Sequence, residues 1–189
     1  MRIIAGQFRS RILKSLKGQS LRPTSDYLRE TLFNVLGPAV DGARFLDLYA
    51  GTGAVGIEAL SRGASEVVFV ENHPAAVKLI RENLALLKIN SGTQIIVASA
   101  TDALDRLAKY KTQPFDFVFL DPPYAAEEEY EAVLSALGES QLVFDNSIVI
   151  AEHRKTLELE VSYGALERYR VLKQGDAALS FYRFLKDAA

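Results

Sequence analysis

The most constraining feature of the sequence is an alternation of short apolar runs with longer amphipathic segments between residues 44 and 152. Apolar runs of this length are typical of buried β-strands, whereas the amphipathic segments have helical periodicity. Strands are predicted at 44–49, 66–71, 94–98, 115–120 and 147–152, and helices at 54–62, 74–88, 103–110 and 127–137. Repeated βαβ units predict an α/β fold whose mostly parallel, doubly wound sheet is covered by helices on both faces.

Further elements are predicted on either side of this region. A helix is expected at 26–36, with Thr24 or Ser25 as its cap. Near the other end, 165–173 and 177–185 are strand-like runs that lie too close together for a helix to fit between them. They are predicted to pair as an antiparallel hairpin, so that the sheet closes with an antiparallel strand.

Composition narrows the class of protein. A chain of 189 residues with 49% hydrophobic content suits one domain with its own core. The absence of cysteine and the presence of only two histidines, without a metal-ligand spacing, predict a protein without disulfides or a metal site. No run approaches the roughly 18 apolar residues of a membrane span, and the start lacks a secretory signal. We therefore expect a cytoplasmic protein with no membrane partner.

Charge is distributed unevenly along the chain. The net charge is −2, yet residues 1–25 carry six basic side chains and no acidic one. This basic arm can contact phosphates, or it can be a solvated terminus that serves only solubility. We treat 1–25 as a candidate arm for contact with nucleic-acid phosphates and 26–189 as the main domain. On the first interpretation, the candidates for this contact are Arg2, Arg9, Arg11 and Arg22.

A glycine-rich turn follows the first strand of the alternating region. Gly51, Gly53 and Gly56 satisfy the GxGxxG pattern, which lets a ligand approach the backbone and is shared by NAD enzymes. Asp47, four residues before the first glycine, would repel a pyrophosphate but suits an ammonium group. S-adenosylmethionine (SAM) has an ammonium and no phosphate. The pattern predicts SAM as the cofactor, with Thr52 among the residues that hold it.

Two further acids follow later strands. Glu71 ends the second strand, where an acid can accept both ribose hydroxyls of an adenosine in NAD and SAM enzymes alike. It can equally cap the helix that starts near Pro74, although Asn72 already offers a cap there. Asp102 follows the third strand and can bind an adenine amino group or simply be an acid at a helix start. We count Glu71, Asn72 and Asp102 as candidate cofactor-binding residues.

The sequence Asp121-Pro122-Pro123-Tyr124 stands where a buried strand should emerge at the carboxyl edge of the sheet. Two prolines hold the backbone extended and remove two amide donors. Asp121 and the Pro122 carbonyl can then accept the two hydrogens of a base amine and direct its lone pair at a methyl donor. Tyr124 can stack on a base that has been swung out. The alternative is a proline-stiffened strand end with an incidental tyrosine.

The motifs around Asp47 and Asp121 resemble those of the amino-methyltransferases, D-x-x-x-G-x-G and [DN]-P-P-[YFW]. The N-terminal sequence RIIAG, the RPT at 22–24 and the RETLFN at 29–34 resemble the RsmD family over nearly the whole chain. That family usually has a glycine where this chain has Ser10. The resemblance implies a Rossmann-like, seven-stranded SAM methyltransferase fold with an antiparallel C-terminal strand. It also implies methylation of guanine N2 in bacterial 16S ribosomal RNA, with the small ribosomal subunit or its assembly intermediate as partner.

Residue roles carried over from the RsmD family agree with these interpretations. The resemblance implies that Asp47, Gly51 and Gly53 bind the methionine part of SAM, that Glu71 binds the ribose and Asp102 the adenine. The segment 121–124 would hold the guanine amine. Because no neighbouring histidine or cysteine offers a base or a covalent nucleophile, we expect direct, in-line methyl transfer.

Other functions remain open at this point. A NAD-dependent oxidoreductase would explain the glycines and Glu71 but would leave Asp47, the DPPY sequence and the basic arm unused. A non-enzymatic RNA-binding module would explain the arm but not the cofactor pocket. Among methyltransferases, DPPY also serves adenine N6, and NPPY serves glutamine in proteins.

Overall fold

The computed structural model describes residues 1–15, 26–123 and 125–185, and it divides into two compact units, Met1–Ala98 and Ser99–Ala189. The elements of the first unit are α1 (Asp26–Leu36), a 3-10 turn (Gly37–Val40), β1 (Arg44–Leu48), α2 (Ala54–Ser61), β2 (Glu66–Glu71), α3 (Pro74–Leu86) and β3 (Thr93–Val97). Its three strands are parallel in the order β3-β2-β1.

The burial of apolar side chains explains why the strands and helices of the first unit form where they do. All but the first residue of β1 and all but the two end residues of β2 are buried, as expected for strands covered on both faces. The helix α2 is buried along its whole length. The helix α1 buries a stripe that includes Leu28, Leu32 and Phe33 and leaves Tyr27 exposed, which is the pattern of an amphipathic helix.

Residues 1–14 form an N-terminal hairpin that belongs to the first unit. Arg2 and Ile12 form an antiparallel bridge, and Leu13 donates its amide to the Met1 carbonyl at 3.1 Å. Ile3 and Leu13 are buried, so the hairpin packs on the domain through apolar side chains. The part of the basic arm that the structure describes is therefore a folded element.

The second unit contains α4 (Ala100–Lys109), β4 (Phe117–Leu120), α5 (Glu128–Gly138), β5 (Ile148–Arg154), β6 (Ser162–Tyr163), β7 (Leu166–Gln174) and β8 (Ala177–Phe184). Its strand order is β4-β5-β8-β7-β6, in which β4 and β5 are parallel and the other pairs are antiparallel. The predicted C-terminal hairpin and the α/β class are both confirmed.

The sequence placed most elements within a few residues of their observed ends, and α1 and β2 have the predicted bounds. The 3-10 turn was not predicted. Two-residue β6 brings the strands in the described residues to eight where seven were expected. The helix α4 begins three residues earlier than predicted because the Ser99 hydroxyl accepts the Asp102 amide at 3.2 Å and caps it. The expected cap of α1 at Thr24 or Ser25 lies outside the described residues.

No helix within the described ranges is long and apolar enough to cross a membrane.

Candidate active site

Asp47 is a buried acid near the end of β1, with 1% of its surface exposed. Its Oδ2 accepts the amide of Gly56, in the first turn of α2, at 2.9 Å. Burial raises the pKa of Asp47 to about 7; the Gly56 hydrogen bond opposes this shift and the charge of Glu71 adds to it. A nearby cation favours the ionised form of such a carboxyl group. The site around Asp47 is therefore suited to a positively charged ligand group.

The backbone between β1 and α2 takes an unusual path. Left-handed φ angles occur at Tyr49 (61°), Gly51 (55°) and Gly53 (76°). Glycine adopts this conformation without steric cost, whereas for a residue such as Tyr49 it costs about 1 kcal/mol. The Gly53 amide donates to the Ala50 carbonyl at 2.7 Å, which tightens the loop. We call residues 49–53 the cofactor loop; the conformation of Tyr49 had no signal in the sequence.

The third glycine of the pattern has a packing role. A Cβ atom on Gly56 would lie 2.3 Å from a ring carbon of Phe69 and 2.8 Å from Val67, both in β2. Glycine at this position lets α2 approach the sheet closely, which is the role expected of the third glycine in such turns. Of the three glycines, only Gly51 and Gly53 therefore remain candidates for contact with a ligand.

Glu71 connects the end of β2 to the cofactor loop. Its Oε2 accepts the Gly51 amide at 2.8 Å, and its Oε1 accepts the amides of Asn72 at 2.9 Å and His73 at 2.8 Å. A carboxylate has about four acceptor positions, so these bonds orient it and leave capacity for a ligand hydroxyl. The cap that Asn72 offered is not used, because His73 occupies the cap position of α3 without a side-chain bond.

The candidate acids of the second unit lie after β3 and β4. Asp102 is exposed in the first turn of α4, where an acid is favoured by the helix dipole whether or not it binds adenine. Asp121 follows β4 directly and is half-buried, and Pro122 is buried. The Pro123 carbonyl accepts the Ala126 amide at 2.8 Å and so closes a turn. Tyr124 lies outside the described residues.

The candidate RNA-binding arginines of the N-terminal hairpin face solvent. Arg2, Arg9 and Arg11 are all exposed, and Arg22 lies outside the described residues. Ser10, between two of these arginines, has a left-handed φ of 67°. This conformation favours glycine, so the backbone at Ser10 has a glycine-like turn.

Within the part of the chain that the structure describes, no group of three or more His, Cys, Asp and Glu side chains is placed to hold a metal ion.

Comparison with known proteins identifies the family. A family model described as "Conserved hypothetical protein 95" matches residues 1–183. The Ribosomal RNA small subunit methyltransferase D of Haemophilus influenzae is 36% identical over 188 residues, which are 99% of this chain and 94% of that protein. The protein of the same name from Escherichia coli K12 is 39% identical over 152 residues, which cover 80% of this chain and 74% of the relative. The chain belongs to the RsmD family.

The fold of this RsmD-family chain is that of its solved relatives. The structure of yhhF from Escherichia coli superposes with a TM-score of 0.83 at 33% identity, covering 97% of each chain. The protein thus has the Rossmann-like methyltransferase fold, and it is a methyltransferase.

Two residues that the sequence analysis missed as functional candidates hold the N-terminal hairpin of this RsmD-family protein. Fully buried Glu58, in α2, accepts the amide of Ile4 at 2.8 Å and that of Ala5 at 3.0 Å. Fully buried Arg29 donates to the Arg2 carbonyl at 2.5 Å. A signal existed for both, because Glu58 is the one charged residue of α2 and Arg29 opens the family motif RETLFN.

Proposed function

We propose that this chain uses SAM to methylate the exocyclic N2 amine of a guanine in bacterial 16S ribosomal RNA. The relatives named Ribosomal RNA small subunit methyltransferase D support the substrate class. The observation that carries the proposal is the acidic surrounding of the cofactor loop, formed by buried Asp47 and by Glu71. The proposed setting is the cytoplasm, with the small subunit or its assembly intermediate as substrate.

The residues around the cofactor loop fit SAM better than a dinucleotide. Asp47 is buried and close enough to Glu71 for their charges to interact. Both carboxylates would therefore repel a pyrophosphate, whereas an ammonium group would stabilise their ionised forms. Glu71 is held by three backbone amides and retains acceptor capacity for a ribose hydroxyl. In our proposal Gly51, Thr52 and Gly53 lie against the methionine part, and Asn72 and Asp102 lie near the adenosine.

The proposed chemistry needs an acceptor of hydrogen bonds and no protein nucleophile. SAM supplies an electrophilic methyl group on a sulfonium. Asp121 and the Pro122 carbonyl accept the hydrogens of the amine and orient its lone pair, while Tyr124 stacks on the extruded base. The amine proton leaves after the nitrogen has become cationic, so the chain need not supply a strong base.

A labelling experiment tests the substrate. Incubation with tritiated methyl-SAM and separate samples of small ribosomal subunits, free 16S RNA, duplex DNA and protein should label the RNA, and digestion should recover N2-methylguanosine. Comparison of subunits with free RNA identifies the physical form of the substrate. Label recovered as N6-methyladenine would favour the adenine alternative, and label confined to protein would overturn the proposal.

Removing two charges from the N-terminal hairpin should weaken RNA binding alone. Arg9 and Arg11 are exposed and, in our proposal, make sequence-independent phosphate contacts. The double variant Arg9→Ala/Arg11→Ala should bind RNA about 10-fold more weakly, with a salt slope smaller by roughly 1.5, and should bind SAM unchanged. Filter binding at several salt concentrations measures both quantities.

The matched control removes two exposed charges from α4, Arg106→Ala/Lys109→Ala. This control distinguishes the loss of a local contact between the hairpin and RNA from the effect of a lower positive charge on the whole protein. Equal RNA affinity for the hairpin variant and the native protein would mean that the arm serves only solubility.

A further inference from the structure

Asn83 is a fully buried amide in α3 that the proposed chemistry does not use. Its Nδ2 donates to the Thr52 carbonyl in the cofactor loop at 3.0 Å. The same side chain binds both backbone groups of Lys14 at the end of the N-terminal hairpin: Oδ1 accepts the Lys14 amide at 2.8 Å, and Nδ2 donates to the Lys14 carbonyl at 3.2 Å. One amide group therefore joins two segments that lie 31 and 69 positions away from it.

This contact helps to orient the cofactor loop, which Glu71 also holds through the Gly51 amide. Thr52 lies between two glycines with left-handed φ angles, which restrict the backbone little by themselves. The Asn83 donor, which lies outside the loop, fixes the direction of the Thr52 carbonyl. A second contact of the hairpin reaches the same residue, since the Thr52 hydroxyl lies 3.9 Å from the Met1 sulfur.

The first half of the hairpin is held by other side chains. Glu58 binds the amides of Ile4 and Ala5, and Arg29 binds the Arg2 carbonyl, so both anchor residues 2–5. Lys14, at the other end, is bound by buried Asn83 and by an exposed ion pair with Glu82 at 2.9 Å. An exposed ion pair contributes little, so Asn83 is the stronger anchor of the two at this end.

We propose that Asn83 is a positioning residue that couples the cofactor loop to the RNA-contacting hairpin, so that ordering either one favours the ordered form of the other. This inference rests on the proposed function, in which SAM binds the loop and RNA contacts the hairpin. The physical reason is that the buried amide satisfies all its partners only when loop and hairpin are both in place, and unsatisfied buried groups are costly.

Asn83→Asp tests the contact with a side chain of the same size. It retains an acceptor for the Lys14 amide but loses both donated hydrogen bonds. S-adenosylhomocysteine should bind at least about 10-fold more weakly by calorimetry, and the hairpin amides should exchange faster with deuterium. Asn83→Ala, which adds no buried charge, should change both in the same direction. Weakened cofactor binding with unchanged hairpin exchange would contradict the coupling.

Two matched variants distinguish positioning from stability. Leu84→Ala removes the buried side chain that follows Asn83 on α3. This side chain is apolar and forms no hydrogen bond with either segment. The variant should lower the melting temperature while leaving the affinity for S-adenosylhomocysteine within about 2-fold. Glu82→Gln weakens the exposed ion pairs of Glu82 with Lys14 and, at 4.0 Å, with Lys78, and should leave both readouts unchanged. An affinity loss in Leu84→Ala as large as in Asn83→Ala would reduce Asn83 to a stability role.

A double-mutant cycle measures the coupling itself. A Cβ on Gly6 would lie 1.7 Å from the Ser61 carbonyl oxygen, and Gly6 has a φ of 81°, so Gly6→Ala must displace the hairpin at its turn without touching the cofactor loop. Gly6→Ala should weaken S-adenosylhomocysteine binding by about 5-fold in the native background and leave it unchanged in Asn83→Ala. Additive effects would overturn the coupling alone. No binding to the native protein would overturn the proposed function as well.

Discussion

Replacement of Asp121 by alanine is expected to lower the rate of methyl transfer by roughly 100- to 10,000-fold, the range for loss of one preorganised transition-state contact. Asp121 follows β4 directly and is placed, in our proposal, to accept a hydrogen of the guanine amine. The affinity for SAM should be nearly unchanged, because the proposed cofactor contacts are made by other residues. Single-turnover methylation of small subunits gives the rate, and calorimetry gives the affinity.

Graded variants make the Asp121 test specific. Asp121→Asn keeps an oxygen that accepts one hydrogen bond and should retain part of the activity. Tyr124→Phe should retain more, because stacking needs the ring and not the hydroxyl. Asp116→Asn is the matched control, since Asp116 precedes the same strand at its opposite end. Near-native methylation by Asp121→Ala would make the DPPY segment structural and would remove it from the active site.

Asp47→Asn is expected to raise stability at neutral pH and to weaken SAM binding at the same time. The pKa of Asp47 is about 7 in the folded protein, raised chiefly by burial, against an ordinary value of 3.8. The folded state therefore holds the Asp47 proton more tightly than the unfolded state does. The resulting stabilisation is fully present below pH 4 and is lost as the pH rises through 7. Asparagine does not titrate, and its oxygen can still accept the Gly56 amide.

The stability difference between Asp47→Asn and the native protein should thus grow from about pH 4 to pH 7 and then level off, reaching on the order of 2–4 kcal/mol at pH 8. Denaturant unfolding at several pH values measures it. Exposed Asp105→Asn controls for the loss of an acidic charge. A variant less stable than the native protein at pH 8 would contradict the buried, ionisable state of Asp47.

Cofactor binding should change in the opposite direction. If Asp47 faces the ammonium of SAM, Asp47→Asn should weaken SAM by roughly 10- to 100-fold, the loss expected for a charge-assisted hydrogen bond. Binding to the native protein should weaken as the pH falls below 7, because the carboxyl group must then release a proton. NAD should not bind measurably. Tight NAD binding without SAM binding would return the site to the oxidoreductase alternative.

The periodic part of the fold was predictable from the sequence because each strand and helix carries its own pattern of apolar residues. The strands β1 and β2 and the helix α2 between them were located this way, as was the antiparallel pair β7 and β8. The start of α4 was predicted wrongly although Ser99 and Asp102 carry a recognisable capping signal. The element β6 has two residues, too few to show any periodicity.

The candidate site also has some features that the sequence predicts and others that only the structure shows. Asp47, Glu71 and the glycines were predicted as candidates from the sequence because their positions relative to strand ends follow from the βαβ pattern. The sequence could not reveal the pKa of Asp47, which depends on complete burial. Nor could it show that three backbone amides orient Glu71, since two of those bonds arise from a local turn and the third from the neighbouring loop.

By itself, then, the sequence determined the order of the secondary-structure elements, the family, and the presence of glycines and acidic residues at the cofactor loop. All of these are visible as local sequence patterns. Only the tertiary structure decided that the basic arm begins with a packed hairpin, and that Glu58, Arg29 and Asn83 hold it. These buried polar side chains bind backbone groups 27 to 69 positions away. Hydrogen bonds to a distant backbone leave no periodic trace in the sequence, since any residue can supply the partner amide or carbonyl.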